Sequence, residues 1–161
     1  MSYLNNNIYS SLLILFLFLT DRLTKFFILR ISESSGELLI PITNFLKFNL
    51  IWNSGIAFGL FSFEEKNYYN FLTLIIILIT IILLYFMFKA KNVEKLGFTL
   101  IIGGSLGNIF DRIYYSSVVD FIDFHINNFH WFIFNVADIF ITTGVVLLLI
   151  LEFFKKNEKK Y

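Results

Sequence analysis

Acidic side chains in apolar surroundings are the residues of this sequence best suited to chemistry. Asp138 follows a run of mostly apolar residues, with Asn135 three residues before it. Asp120 and Asp123 lie in the preceding segment, among Val, Phe and Ile side chains. Two carboxyl groups held together at low dielectric cannot both ionise cheaply, so one keeps its proton. Such a pair supplies an acid and a base at one pH, which is the condition for activating water against an amide.

The residue inventory points to the same chemistry. The 161 residues include no cysteine and two histidines. Disulfides, thiolate zinc sites and cysteine nucleophiles are therefore excluded, and a histidine-built metal site is disfavoured, so we expect neither a metal nor another cofactor. The candidate catalytic pair is Asp138 with one acid from residues 111–123, and spacing alone leaves that second acid open. The alternative for Asp138 is an ion pair with Arg112 or Lys25.

Two further groups of charged residues need partners, because a charge at bilayer depth costs several kcal/mol. Asp21 and Lys25 are four residues apart and share a helix face. We expect a self-neutralising pair or a bridge to another helix, with Asp21 near the middle of the membrane. Asn108, Asp111 and Arg112 share another face. Asp111 and Arg112 either lie where the helix leaves the membrane, or Arg112 binds a backbone carbonyl, a lipid phosphate or a carboxylate.

Ser105 lies in a segment that matches a serine-nucleophile motif. Residues 103–107 read Gly-Gly-Ser-Leu-Gly, the pattern G-x-S-x-G, and His125 or His130 would have to act as the base. That motif works only at a strand–turn–helix corner, whereas this segment lies inside an apolar stretch that favours a helix. We therefore predict that these small residues let a second helix approach closely.

The composition decides what kind of scaffold holds these side chains. The chain is 57% hydrophobic and 16% charged, against about 25% charged in an ordinary soluble domain. Mean hydropathy is +0.73. A soluble protein of this size cannot hide so much apolar surface, which argues strongly against a water-soluble globular enzyme. The net charge of +1 gives no reason to expect nucleic-acid binding.

Four stretches are long and apolar enough to cross a membrane, which takes about 20 residues. They cover residues 11–31, 68–88, 96–115 and 132–154. In the fourth stretch Asp138 follows about six residues, which places it roughly 10 Å below the outer boundary. Residues 47–50 alternate polar and apolar side chains, which predicts a short strand or two on the outer surface within residues 42–52.

The distribution of lysines predicts the orientation. Residues 89–95 contain three lysines and the tail after Phe154 contains four, whereas residues 116–131 contain no Lys or Arg. By the positive-inside rule, residues 89–95 and both termini are cytoplasmic, and connections 32–67 and 116–131 lie outside. The first stretch lacks a basic start and an A-x-A site, so we do not interpret it as a cleaved signal peptide. Residues 1–161 are predicted to form one membrane domain.

Five blocks of sequence occur in order along nearly the whole chain. They are Asp21-Arg22-Leu23-Thr24-Lys25, Asn53-Ser54-Gly55-Ile56-Ala57-Phe58-Gly59, Gly107-Asn108-Ile109-Phe110-Asp111-Arg112, Val118-Val119-Asp120-Phe121-Ile122 and Phe134-Asn135-Val136-Ala137-Asp138. With these blocks the chain resembles the bacterial lipoprotein signal peptidases, also called signal peptidase II. Each block is weak alone, but five in order in a chain of this length are highly specific.

The resemblance implies an intramembrane aspartic endopeptidase of the bacterial cytoplasmic (inner) membrane. Members of that family remove signal peptides from prolipoproteins, cutting just before a cysteine that already carries diacylglycerol. The implied fold is an all-α membrane protein with four transmembrane helices. The first outer segment would form a small extracytoplasmic β-cradle and the second a short extracytoplasmic helix over the site. The chain would act as a monomer among membrane lipids, with its active site near the outer leaflet.

Carried over block by block, the resemblance makes Asp120 and Asp138 the catalytic pair. Five other positions match residues that line or brace the substrate pocket, namely Asn53, Gly55, Asn108, Arg112 and Asn135. Three more match structural or supporting positions, namely Asp21, Lys25 and Asp111. Ile139 stands where many members have serine, which removes a hydroxyl beside Asp138 but leaves its carboxylate.

Three other functions are compatible with parts of the sequence. A small transporter or channel would use buried charges as an ion path, and it predicts polar residues across the full membrane depth. Most of the polar residues cluster toward one side instead. A serine-type membrane protease would depend on Ser105, and a non-catalytic assembly factor would tolerate loss of either aspartate.

Overall fold

Four helices and one small sheet make up the parts of the chain that the structure describes. The structure is a computed structural model, and it describes residues 3–35, 39–55, 66–126 and 129–158. The elements follow in the order α1 (Tyr3–Ser35), β1 (Leu39–Pro41), β2 (Leu46–Asn53), α2 (Lys66–Lys89), α3 (Asn92–Tyr115), β3 (Val118–Ile126), β4 (Phe129–Phe134) and α4 (Val136–Glu158). The prediction of a mostly helical protein with a small sheet is confirmed.

The long apolar runs form helices whose large apolar side chains point outward. Phe16 and Leu149 are exposed, whereas the charged Asp21 is fully buried. This distribution is the reverse of that in a soluble protein, and it suits a hydrocarbon surrounding in which helices satisfy their own backbone groups. By length and composition, Tyr69–Lys89 of α2 and Val136–Lys155 of α4 are able to cross a membrane.

The central helix is α3, which contacts α1, α2 and α4. Its contact with α4 is made through glycines. A Cβ atom added to Gly104 would collide with the carbonyl oxygen of Ala137. One added to Gly144 of α4 would lie 2.6 Å from the carbonyl oxygen of Gly97. The two helices therefore pack backbone against backbone, which confirms the prediction for residues 103–107.

The sheet is antiparallel, with its strands in the order β1-β2-β3-β4. Strand β2 confirms the strand predicted within residues 42–52. The register pairs Ile51 with Asp120 and Asn53 with Val118. The end of β2 therefore lies beside the start of β3, which brings Asn53 next to Asp120.

Two expectations about the segment before α4 are wrong. The resemblance implied a short helix over the site, but the described part of residues 116–131 forms strands. The fourth span was predicted from residue 132, but α4 begins at Val136 because β4 pairs with β3. Both strands are rich in Val, Ile and Phe, which fit a pleated surface well. Asp138 consequently lies in the first turn of α4, and its depth below the outer boundary stays a prediction.

Candidate active site

Asp120 lies on β3, where β2 and the residue before α4 supply its partners. The residue is buried, with 3% of its surface exposed. Its Oδ2 accepts a hydrogen bond from Asn53 Nδ2 at 2.8 Å, and its Oδ1 accepts one from Asn135 Nδ2 at 2.6 Å. Neutral amide groups therefore hold both carboxyl oxygens without cancelling the charge.

Asp138 takes part in the N-terminal cap of α4. Asn135 Oδ1 accepts a hydrogen bond from Asp138 N, and Asp138 Oδ2 accepts one from Asn135 N, both at 3.1 Å. This reciprocal pair is a capping box, which holds both side chains in place at the helix start. The other oxygen, Asp138 Oδ1, accepts from Asn108 Nδ2 at 2.8 Å. The alternative of an ion pair with Arg112 or Lys25 is wrong, since within the described residues Asp138 is bonded to asparagines.

Asn135 joins the two carboxyl groups. Its Nδ2 donates to Asp120, while its Oδ1 and its backbone N are bonded to Asp138. Asn135 is itself fully buried, so these bonds lie out of reach of bulk water. The spacing Asn-x-x-Asp before an apolar run is a helix-start signal in the sequence. Placing the helix start by the apolar run alone misses that signal, and with it the bridging role of Asn135.

Burial and the nearby charge of Asp138 raise the pKa of Asp120 to about 7. The hydrogen bonds from Asn53 and Asn135 act in the opposite direction without restoring the ordinary value of 3.8. A carboxyl group with a pKa near neutrality both gives and takes protons at physiological pH. The site therefore meets the condition for an acid and a base at one pH.

Both carboxyl groups line a cavity of about 520 Å³. One wall is polar and carries, besides the aspartates, Asn53, Asn108 and Arg112. The remaining lining is mostly apolar and comes from α2, β4 and α4, namely Ile76, Phe132, Ile133, Phe134, Ile139 and Ile141. Ser105 also lines the cavity, from the interior of α3. Within the described residues, no three His, Asp or Glu side chains are grouped so that they could hold a metal ion.

Arg112 holds the turn that follows β2. One guanidinium nitrogen donates to the carbonyl oxygen of Gly55 at 3.4 Å, and another to that of Asn108 at 3.2 Å. Gly55 N in turn donates to Asn53 Oδ1 at 2.9 Å, which orients the Asn53 amide. Of the roles predicted for Arg112, the contact with a backbone carbonyl is confirmed. Residues 56–59 of the same sequence block lie outside the described residues.

Four charged side chains of α1 and α3 form a group, the charged cluster, made of Asp21, Arg22, Lys25 and Asp111, of which all but the half-buried Arg22 are buried. Lys25 Nζ lies 3.1 Å from Asp21 Oδ2 and 2.6 Å from Asp111 Oδ2. Arg22 contacts the same two carboxylates at 2.6 and 2.5 Å. The self-neutralising pair and the bridge to another helix are therefore both confirmed.

The charged cluster lies level with the start of α4. Asp21 Oδ1 accepts a hydrogen bond from the backbone N of Ala137 at 3.0 Å. Asp21 therefore lies beside the start of α4, and its place near the middle of the membrane stays a prediction.

Asp123 is fully buried on the same strand as Asp120, but its partners are different. Both of its oxygens lie 2.9 Å from His130 Nδ1, and Oδ2 lies 3.6 Å from Lys47 Nζ. Burial disfavours its ionisation, but the hydrogen bonds to His130 and Asn49 and the charges of His130 and Lys47 together outweigh burial and hold the pKa of Asp123 below its usual value. The geometry therefore joins Asp120, rather than Asp123, to Asp138. It also pairs His130 with Asp123 and not with Ser105.

One buried and one half-buried carboxyl group on one cavity, each held by amides, define an acid–base site of the aspartic type. The model of the family described as signal peptidase (SPase) II matches residues 13–154. The lipoprotein signal peptidase of Pelagibacter ubique (strain HTCC1062) is 50% identical over 154 residues, which cover 95% of this chain and 93% of the relative. That of Wigglesworthia glossinidia brevipalpis is 45% identical over 145 residues, covering 87% and 91%.

The fold is also similar to solved structures. One, described as a bacterial membrane enzyme, has a TM-score of 0.75 and 30% identity, covering 95% of this chain and 92% of that chain. A second with the same description has a TM-score of 0.72 and 32% identity, covering 89% and 91%. The chain belongs to the signal peptidase II family, whose members are aspartic peptidases.

Proposed function

We propose that this chain hydrolyses the peptide bond before a diacylglyceryl-modified cysteine in prolipoproteins, with Asp120 and Asp138 as the catalytic pair. Family membership makes it an aspartic endopeptidase that removes signal peptides from prolipoproteins. The observation that supports the choice of this pair is the contact of Asn135 with both carboxyl groups at one cavity.

The proposed mechanism uses one proton shared by two carboxyl groups. A water molecule between Asp120 and Asp138 gives a proton to the ionised carboxylate as its oxygen attacks the scissile carbonyl carbon. The protonated carboxyl group gives its proton to the carbonyl oxygen, which forms a neutral tetrahedral intermediate. When the C–N bond breaks, the proton taken from water passes to the departing cysteine amine, and one hydroxyl group of the intermediate returns its proton to the other carboxylate, which restores the pair. The pair titrates as a unit, so the two roles belong to the pair.

The cavity suits a substrate that is part peptide and part lipid. Asn53 and Arg112, on its polar wall, would hold the substrate backbone by hydrogen bonds. The apolar lining, which includes Ile76 and Ile139, would bury the acyl chains, at about 0.8 kcal/mol per methylene group removed from water. Held at both ends, the scissile bond would be fixed against the carboxyl groups.

The membrane arrangement belongs to the same proposal. All four helices cross the inner membrane, both termini are cytoplasmic, and the sheet and active site lie near the outer leaflet. The α2–α3 connection within residues 89–95 carries three lysines, and the sheet follows the opposite end of α3. That asymmetry supports the orientation by the positive-inside rule. Residues 1–161 then form one domain that acts as a monomer.

The decisive experiment replaces each carboxyl group by its amide. Asp120→Asn and Asp138→Asn should each abolish cleavage of a diacylated precursor in detergent while the protein stays folded, because an amide cannot carry the proton. Asp123→Asn is the matched control, since it removes a buried carboxylate from the same strand, and it should keep activity. Near-normal turnover by Asp120→Asn or Asp138→Asn would overturn the assignment.

The rival functions are tested in the same assay. Ser105→Ala should stay active, because Ser105 lies inside α3 and not at a nucleophile corner. Chelators should leave turnover unchanged, since no metal takes part in the proposal. A transporter or an assembly factor would show no peptide cleavage at all, with or without the aspartates.

A further inference from the structure

Two backbone amides, those of Ala137 and Val119, donate hydrogen bonds to the charged cluster. The bonds are 3.0 and 3.2 Å long, and each of these residues directly precedes one of the catalytic aspartates. We propose that Asp21 and Asp111, which accept the two bonds, are positioning residues that set the placement of the catalytic carboxyl groups. The inference rests on the proposed function, because it takes the pair of aspartates as given.

The bond to Ala137 satisfies a buried helix end. The first N–H groups of a helix have no partner within that helix, and Ala137 is the second residue of α4 and fully buried. Asp21 supplies the missing acceptor from α1, and a carboxylate at this end is favoured by the helix dipole. Gly107 of α3 leaves room for it, since an added Cβ atom would lie 2.5 Å from Asp21 Oδ2. The start of α4 is thereby fixed against α1 and α3.

The bond to Val119 ties the start of β3 to α3. Asp111 lies in the last turns of α3, and Val119 is fully buried. Between them the chain turns at Ser116, whose φ of 56° lies in the left-handed region. The Asp111 Oδ2 contact therefore closes this turn and holds the strand against the helix that it leaves.

Lys25 connects the two contacts. Its Nζ binds both cluster carboxylates and also donates to Asn108 Oδ1 at 3.0 Å. Because that oxygen is occupied by a cation, the Nδ2 of Asn108 is directed to Asp138 Oδ1. The charged cluster thus acts on Asp138 by two routes. One is the backbone of Ala137, and the other is Asn108, which binds the Asp138 carboxylate. With two cations and two carboxylates the charged cluster is neutral, so it fixes the aspartates without adding net charge beside them.

The first test follows the amides directly. The chain has three alanines and six valines, so selective ¹⁵N labelling gives few signals, and Ala137 can be observed in detergent by NMR. Gly107→Ala displaces the Asp21 carboxylate by a steric contact without altering charge, and Asp21→Asn alters charge with little change of shape. Both should speed hydrogen exchange at the Ala137 amide by about tenfold or more and leave the Ala90 amide unchanged. Asp111→Asn should do the same at Val119.

The second test is kinetic. A misplacement of about 1 Å at the reacting groups costs roughly 100-fold in rate, so Gly107→Ala and Asp111→Asn should lower kcat by about that factor. KM should stay within about twofold, because the groups proposed to hold the substrate are unchanged. Gly97→Ala is the matched control, since it adds the same methyl group ten residues earlier on α3, where the new Cβ meets Leu148 Cγ and Cδ2 instead of the charged cluster. It should leave both exchange and kcat unaltered.

Two results overturn the positioning role. One is unaltered exchange at Ala137 in both Gly107→Ala and Asp21→Asn, and the other is faster exchange with kcat retained. If one variant fails to fold, the other decides. Amide exchange reports the hydrogen bonds whichever residues are catalytic, so full activity of Asp120→Asn would end the proposed function while leaving this measurement valid.

Discussion

At the scale of single residues, Asp120 makes the stability of the protein depend on pH. Its pKa of about 7 in the folded protein exceeds the ordinary value of 3.8. The folded state therefore holds this proton more tightly than the unfolded state does. The resulting stabilisation is complete below about pH 4 and is lost as the pH rises through about 7.

Thermal unfolding should show this dependence. The wild-type protein in detergent should unfold at a lower temperature at about pH 8 than at about pH 5, and Asp120→Asn should remove most of the difference. Asp123→Asn should keep it, because the pKa of Asp123 lies below its usual value and its contribution is lost only at more acidic pH. An unaltered pH slope in Asp120→Asn would contradict the raised pKa.

The same pKa should set the alkaline limit of the proposed activity. The pair needs one proton, and Asp120 loses its proton with a pKa of about 7, so kcat/KM should decline as the pH rises above neutrality. A pH profile of precursor cleavage measures this limit, with Asp123→Asn as the control that should leave it in place. A profile that is flat to about pH 9 would show that the pair does not lose its proton near neutral pH.

Asn135 has two roles that substitutions can separate. Asn135→Ser keeps a helix cap but removes the Nδ2 donor to Asp120, whereas Asn135→Ala removes both. Both variants should lose most activity, but only Asn135→Ala should lose about 1 kcal/mol of stability from the missing cap. Cleavage rates and denaturant unfolding distinguish the two effects, and full activity of Asn135→Ser would show that the bridge to Asp120 is dispensable.

Residue types and spacing identify only part of this site. Asp138 stands out in the sequence because it is an acid in an apolar run with no Lys or Arg near it along the chain. The choice among Asp111, Asp120 and Asp123 needs the tertiary contacts, since Lys25 and the His130 imidazole engage the first and the last. Lys25 is remote along the chain and His130 lies on a neighbouring strand, so local spacing does not predict either partner. Only the resemblance to the family selects Asp120 from the sequence.

At the scale of elements, apolar runs predict the helices but not their ends. Helix α1 extends over Tyr3–Ser35, beyond the predicted 11–31, because polar residues at both ends continue the backbone hydrogen bonds. The sequence does not predict the β3–β4 pair, because its apolar residues suit a strand and a membrane helix equally well. Its partner strand β2, which settles the question, lies about 70 residues earlier in the chain.

The contact between α3 and α4 should tolerate added volume at some glycines only. Gly144→Ala places a Cβ atom 2.6 Å from the Gly97 carbonyl oxygen, which is backbone and cannot turn away. We expect a loss of about 1–3 kcal/mol, whereas Gly97→Ala should cost less, because its nearest contacts are Leu148 Cγ and Cδ2, which a rotamer change can move. Unfolding temperatures in detergent measure the difference, and equal values would show that the two helices separate easily.

At the scale of the whole molecule, the absence of cysteine allows a clean test of orientation. A single cysteine replacing the exposed Ser34 should react with a membrane-impermeant maleimide in intact spheroplasts, because that end of α1 is predicted to lie outside. One replacing the exposed Lys91 should react only after lysis. The opposite pattern would invert the proposed topology.

Because one asparagine serves the cap of α4 and contacts both Asp120 and Asp138, the proposed site is complete only when β3 is docked on the start of that helix. An incompletely folded copy, in which those two stretches are apart, should therefore be unable to cut peptides, and no separate inhibitor or propeptide would be needed to silence it.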